Sequence, residues 1–444
     1  MAANPDLQAA AERFVQARDM MMMARSRRIP QIGLGGKITD NQHSVDTLFR
    51  DPDIPISGPG GAAGGIASWE PDFWSAIRNA TRVETYRAEE RAADYGLSRL
   101  SLQGELASDY FTLRGYDAQA AIYAQSIALY RKSLNLVKAQ FAGAIASALD
   151  VARVESLLYS TETKYAQIQG QRQVTEQAIA ILLNMAPASF RIEPVDELRV
   201  ANFTIPRAIP STLLERRPDI ARMERRMAEA NRAIGIARAA FFPDVRFSAD
   251  GGFVDVGFDT AKLTAAFWSY GSVVSLPVFQ GGYRRAQLQK SWSVYRETED
   301  RYRSTVLNAF REVENALTLT NRLTVAAERQ DAAVGAFLKT QDLTSELYQG
   351  GLASSLELIY AQVQTLEARI NAVIIKADLL KASVGLLRAL GGGFNRKQLP
   401  ADEQIQPFGT FQYTNLDKPL PAGGIDVNAG NNWVNNDLTK PSLP

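Results

Sequence analysis

Proline is spread so unevenly along this chain that its gaps dictate most of the architecture. None occurs between Pro71 and Pro187, and none between Pro277 and Pro400. A proline inside a helix costs about 3 kcal/mol, so proline-free stretches of this length invite long helices. Both gaps are rich in Ala, Leu, Gln, Glu, Arg and Lys. Leu97, Leu100, Leu106, Tyr110 and Leu113 trace an apolar helical stripe in the first gap. Val306, Ala309, Phe310, Val313, Leu317 and Leu323 trace one in the second. The stripes break at Phe141-Ala142-Gly143-Ala144-Ile145-Ala146-Ser147 and at Tyr348-Gln349-Gly350-Gly351-Leu352-Ala353-Ser354. A helix-start signal follows each break, Ser147-x-x-Asp150 and Ser354-x-x-Glu357. The spacing therefore predicts two helical hairpins, with arms at about 75–140 and 148–185, then about 284–347 and 355–390. At about 1.5 Å per residue the longer arms reach roughly 100 Å, too long for a compact globular domain.

The two halves read as one repeat. Gly143 and Gly350 are 207 residues apart, as are Asp150 and Glu357, Leu106 and Val313, Glu105 and Glu312, and Leu183 and Leu390. Phe73 and Phe279, and Arg78 and Arg284, are 206 apart. Ala24 to Ile32 parallels Ala237 to Val245 at an offset of 213. Such constancy marks a tandem duplication. We expect a first repeat over 1–205 (helix, two strands, long hairpin), a second over 206–395, and an equatorial or disordered tail over 396–444.

Strand signals precede each hairpin. Ile32, Leu34 and Ile38 alternate with Gln31, Gly33, Lys37 and Thr39. Val245, Phe247 and Ala249 alternate with Asp244, Arg246, Ser248 and Asp250. Trp268, Tyr270, Val274, Leu276 and Val278 share one face of a third strand, and a weaker fourth lies around Ile66 to Trp69. Gly58–Gly65 and Gly251–Thr260 read as hairpin loops. The clearest strands have the length a tilted membrane-spanning strand needs. Four cannot close a membrane barrel, which takes about eight or more. Three chains would supply twelve; a dimer's eight would leave almost no lumen. On this alternation Arg246 and Asp250 point into the lumen.

Composition removes other classes. With 49 Lys+Arg against 48 Asp+Glu the net charge is +1, which gives no electrostatic basis for nucleic-acid binding. There is no cysteine and a single histidine, His43, so thiolate chemistry and His-pair metal sites are excluded. No enzyme activity, metal or cofactor is expected. Met20 to Met23 invites a soft-metal reading, but consecutive residues point all round a helix and core filling is the simpler role. Gly33-Leu34-Gly35-Gly36 lacks the context of a phosphate loop. No segment is apolar enough for a transmembrane helix, and the start at Met1 shows no signal peptide.

Ile209 to Ile220 contains Leu213-Leu214-Glu215-Arg216-Arg217-Pro218-Asp219-Ile220, and Ala228 to Pro243 continues it. With Leu276 to Gly282, Tyr110 to Arg114, Gln140 to Gly143 and Ala389 to Gly393, the chain resembles the TolC-type outer membrane factor family over roughly residues 4–393. Within it the likeness is to the branch paired with resistance-nodulation-division efflux pumps, whose members are often lipoproteins. The resemblance implies a homotrimer in outer membrane lipid, a twelve-stranded β-barrel and a long α-helical barrel through the periplasm. It also implies a periplasmic adaptor and an inner-membrane pump as partners, and a passive duct for small molecules. A TolC-like channel for protein secretion and a soluble coiled-coil scaffold are the alternatives. Two departures stand out. Nothing in the chain as written would export or lipidate it, so we expect its N-terminus to be incomplete. Ile359-Tyr360-Ala361-Gln362-Val363 stands where the family often has Leu-Asp-Ala-Gln-Arg, which removes a familiar ionic latch.

Site candidates follow from the two turns. Asp150, Arg153, Tyr348, Leu356, Glu357 and Tyr360 are candidates for a periplasmic gate, where three copies would ring the pore. Asp150 and Glu357 equally suit helix capping, and Leu356 and Tyr360 equally suit interhelical packing. Gly143, Ala144, Ile145, Ser147, Gly350, Gly351, Leu352 and Ser354 are candidate adaptor-contact tips. Arg216, Arg217, Pro218 and Asp219, with Leu213, Leu214 and Ile220, read as a structural motif, because Pro218 and Asp219 suit a helix start.

Overall fold

The computed structural model describes residues 4–42, 44, 57–198, 216–254 and 265–394. His43, Leu213, Leu214, the span 255–260 and the tail 396–444 lie outside the described residues. The elements run α1 Pro5–Ser26, β1 Gln31–Gln42, β2 Ser57–Trp69, α2 Ala76–Ala142, α3 Ala148–Leu182, α4 Pro218–Ala239, β3 Asp244–Val254, β4 Ala265–Ser275, α5 Tyr283–Gln349 and α6 Ser355–Ala389. Both long arms, α2 and α5, have 67 residues, and both returning helices, α3 and α6, have 35. Each pair begins and ends 207 residues apart, whereas α4 follows α1 at 213. The helix caps keep this order: Ser75 (φ 63°) and Gly282 (φ 83°) both enter their arms in the left-handed region. Asp72 supplies what Ser75 cannot, accepting from the Ile77 and Arg78 amides at 3.0 and 2.8 Å.

The four strands form one antiparallel sheet in the order β1-β2-β3-β4. Leu34 opposes Gly65, Ala67 opposes Ala249, Trp69 opposes Phe247, and Ala249 opposes Tyr270. Paired residues share a face, so Ile32, Leu34, Ile38, Trp69, Phe247, Phe253, Trp268, Tyr270 and Val274 gather on one side. Lys37, Ser68, Arg246, Ser248, Asp250 and Ser269 gather on the other. Leu34 is 89% exposed and Trp268 75%, so the apolar side has no cover among the described residues. No described helix is long and apolar enough to cross a membrane.

The glycine runs correct the strand assignment. Gly58–Gly65, expected as a hairpin loop, lies within the thirteen residues of β2, and Gly251–Val254 completes β3. Glycine is a poor strand former alone, but here two backbones approach too closely for a side chain. A Cβ on Gly64 would meet the Gly251 carbonyl oxygen at 2.6 Å, and one on Gly252 would strike the backbone of Ala63. β4 stops at Ser275, which pairs with Asp244, the first residue of β3. Leu276 and Val278, expected on that strand, therefore lie beyond the ladder, and Pro277 has no amide to extend it.

The helices carry the core. Ile122, Tyr130 and Leu134 of α2 meet Val154 and Leu158 of α3 and Leu366 and Ile370 of α6. Val313 and Leu317 of α5 pack with Ile220 and Leu386. Two members of the predicted stripes are exposed, Tyr110 and Phe310, each at 41%. Of the methionine run, Met21 fills the core between α1 and α2, with Met22 against it, while Met20 and Met23 are exposed.

One buried network belongs to the first hairpin only. The Asp117 side chain is fully buried and accepts from Arg172 Nε at 2.6 Å and Arg114 Nη1 at 2.8 Å. Arg172 also donates to the Ile192 carbonyl at 2.6 Å, and Glu176 accepts from the Ile192 amide at 2.7 Å. The chain after α3 is thereby pinned back onto its own hairpin. The positions 207 residues on are Asn321, Thr324, Leu379 and Ser383, which cannot build it. Removing one partner of a buried ionic group strands the others, so Asp117→Ala should cost about 3 kcal/mol or more. Thr324→Ala, which loses one hydroxyl bond to the Thr320 carbonyl, should cost about 1 kcal/mol or less. Denaturant melts of the purified variants check the contrast.

Candidate functional site

The two hairpin turns are built alike, because glycine ends the long arm and a serine restarts the chain as a helix. Gly143 and Gly350 follow α2 and α5, and Gly351 (φ 75°) and Ala144 (φ 58°) take the left-handed conformation that reverses the chain. Ser147 and Ser354 then cap α3 and α6 in full capping boxes. Asp150 Oδ2 accepts from the Ser147 amide and hydroxyl at 3.1 and 2.6 Å. Glu357 Oε2 accepts from the Ser354 amide and hydroxyl at 2.7 and 3.1 Å. Between the turns Ile145 and Leu352, also 207 apart, are each 80% exposed.

Two bonds join the turns to each other. Ser355 Oγ, on α6, donates to Asp150 Oδ1 at 2.5 Å. Tyr348 Oη, at the end of α5, donates to Gln140 Oε1 at 2.9 Å. Tyr348 thus binds the neighbouring long arm. Ser355 and Gln140 were not among the sequence candidates. Their signal was a break in the repeat: position 148 is Ala where 355 is Ser, and 347 is Leu where 140 is Gln.

The acids differ in consequence. Asp150 uses both oxygens, and the Ser147 hydroxyl, the Ser355 hydroxyl and the Ser147 amide hold its pKa down to about 2. Arg153, one turn on, is present at 3.7 Å but contributes least among these. Arg153 and Tyr360 are 207 apart, so they occupy the same place one turn into α3 and α6. Tyr360 is 66% exposed and Leu356 53%, one turn before it on the same helix face.

The Arg216-Arg217-Pro218-Asp219 segment sits far from the turns along the chain, at the start of α4. Arg217 is buried and donates to Asp219 Oδ2 at 2.7 Å, Glu312 Oε2 at 2.6 Å and the Ala389 carbonyl at 2.7 Å. It ties the start of α4 to α5 and to the end of α6. Gly391 (φ 93°) permits the approach, since a Cβ there would strike the Arg216 carbonyl. Ile220 joins the core beside it.

The family model described as outer membrane efflux protein matches residues 1–185 and 209–392. The pyoverdine export outer membrane protein OpmQ of Pseudomonas aeruginosa is 29% identical over 403 residues, covering 88% of this chain and 83% of its own. The toluene efflux pump outer membrane protein TtgC of Pseudomonas putida is 26% identical over 406 residues, covering 90% and 83%. Among solved structures, the outer membrane protein VceC of Vibrio cholerae superposes with a TM-score of 0.80 at 24% identity, covering 88% of this chain and 94% of its own.

The tip bonds carry a pH prediction. The folded pKa of Asp150 lies below its ordinary 3.8, so its bonds contribute fully above that value and are lost as pH falls through about 2. Ser355→Ala should raise the Asp150 pKa toward 3.8, and Arg153→Ala should move it far less. Carboxyl titration of labelled aspartate by NMR checks the order of the two effects.

Proposed function

The chain belongs to the outer membrane efflux protein family, and from that premise we propose how its geometry makes a duct. It is an outer-membrane channel component of a tripartite efflux system exporting small molecules. It conducts passively, without catalysis, and reaches from the outer membrane through the periplasm. The family works with resistance-nodulation-division-type systems, in which a periplasmic adaptor and an inner-membrane pump complete the assembly.

The observation that carries our reading is a four-stranded sheet with one bare apolar face and two open edges, set on helical hairpins about 100 Å long. Backbone groups in hydrocarbon must be paired, so β1 of one copy meets β4 of the next. Three copies close a twelve-stranded barrel with the Lys37, Arg246 and Asp250 side facing water. Residues 1–205 and 206–395 serve as the two repeats of each copy, so the helical barrel has pseudo-sixfold walls. Arg216, Arg217, Pro218 and Asp219 act as a structural clamp within the second repeat.

At the periplasmic end we place the gate. Three Arg153 and three Tyr360 stand at one level, with Leu356 and the capping acids Asp150 and Glu357 a turn closer to the tip. Asp150 and Tyr348 hold each copy's two hairpins together, which leaves the bulk of Tyr360 and the charge of Arg153 to narrow the pore. The exposed Ile145 and Leu352, flanked by Gly143, Ala144, Ser147, Gly350, Gly351 and Ser354, give the adaptor six apolar knobs per trimer. Toluene and pyoverdine, named for two relatives, share little chemistry, which fits a duct whose cargo is chosen by its pump.

Native mass measurement of the detergent-solubilised protein should give three times the chain mass; a monomer or dimer at every concentration contradicts the barrel. In planar bilayers Tyr360→Ala should raise single-channel conductance with little salt dependence, because it removes bulk. Arg153→Ala should raise open probability with a dependence that fades at high salt. Parent-like conduction in both variants would place the constriction elsewhere.

A further inference from the structure

On the bilayer-facing side, near the end of the sheet that joins the helices, lies a groove that a passive duct does not need. We propose that it holds an anionic phospholipid, with one acyl chain over Ala67 and Ala249 and the phosphate against Arg28.

The floor is made of small residues: Ala67 and Ala249 oppose each other across β2 and β3 on the apolar side. Trp69, Phe247, Tyr270 and Pro30 form its walls around a volume of about 460 Å³. Trp69 and Phe247 stack across the strands with ring centroids 6.1 Å apart. The groove is continuous with the face that meets lipid, so its occupant must tolerate hydrocarbon along its length. It also sits within a few residues of the strand ends at Trp69 and Asp244, where the chain turns toward the periplasmic helices. That level belongs to the periplasmic leaflet, which in an outer membrane is built of phospholipid. Aromatic rings favour this depth, where one edge meets lipid and the other meets water.

Arginines stand at the rim, and the acids of the same strand ends, Glu70 and Asp244, lie beside Arg246. The Trp69 indole donates to the Arg28 carbonyl at 3.2 Å, which sets Arg28 beside the wall of the groove. Arg27 precedes it and is exposed. Arg28 is itself exposed. Asp72, an acid after the strand end, accepts from the Ile77 and Arg78 amides and from Arg78 Nε at 3.2 Å. An exposed arginine beside the mouth of an apolar groove suits an anion attached to a hydrocarbon tail. A phosphatidylglycerol-like lipid supplies both parts, and a zwitterionic lipid supplies the tail without the net charge.

The test is native mass spectrometry of the intact detergent-solubilised protein, titrated with phosphatidylglycerol or with phosphatidylcholine of the same chains. The parent should retain phosphatidylglycerol about fivefold more strongly, the scale of one arginine charge at a membrane surface. Arg28→Gln should erase that preference while phosphatidylcholine binding persists, and Arg28→Lys should restore it. Ala249→Phe should weaken both lipids by filling the floor. Ala67→Leu fills it from the neighbouring strand and serves if Ala249→Phe fails to assemble, which the same spectra report. Equal retention of the two lipids by the parent overturns the proposal. So does a preference that survives filling of the floor, because the head group alone would then account for it. The spectra also give the assembly mass, so failure of the trimer is seen separately from failure of the lipid site.

Discussion

Hydrocarbon offers no hydrogen-bond partners, and the two open edges of the sheet, β1 and β4, are therefore the constraint on which the rest of this protein turns. The four described strands cannot satisfy those edges alone. Every other large feature fits the identical copies we propose: an apolar side that no described residue covers, long arms with exposed apolar residues such as Leu307 and Leu319, and a repeat that lets unlike halves meet around an axis. In that reading the stability of the single chain is only part of the stability of the protein, because much apolar surface is covered on membrane insertion and assembly.

Duplication supplies the wall, and departures from it supply the specialised parts. The helices repeat to the residue, yet the polar networks do not. Asp117, Arg114, Arg172 and Glu176 pin residues 192 and 193 in the first repeat, and the second has Thr324, Asn321, Leu379 and Ser383 there. Arg217 does the opposite service, fastening α4 to α5 and the end of α6. At the tips Ser355 for Ala148, and Tyr360 for Arg153, break the symmetry where conduction is controlled in our reading. A pore with two kinds of hairpin can move one kind and hold the other.

The sheet uses small residues in a related way. Gly64 and Gly252 let β2 and β3 approach, and Ala67 and Ala249 leave the apolar face hollow near its helical end. The same choice that closes the ladder thus opens the groove proposed for lipid. Position along the strand decides which: the glycines sit mid-sheet, and the alanines sit at the aromatic border beside Trp69, Phe247 and Arg28.

Much of this was determined by sequence alone. Missing prolines set the long arms, glycine and Ser-x-x-acid set the turns, and the constant offset set the repeat, because each acts through local backbone preference or through copying. Alternation of Val245, Phe247 and Ala249 with Arg246, Ser248 and Asp250 set a strand with one apolar and one polar side for the same reason. Tertiary structure decided the rest. Gly58–Gly65 is a strand because neighbouring ladders hold it, against its own propensity. Leu276 and Val278 are not, because their partner strand ends at Asp244. Asp150 is held ionised chiefly by hydroxyls, one of them from a residue 205 positions away, and not by the arginine one turn on. Local rules fix what a segment can become; which groups converge from distant segments is fixed only by how the segments pack.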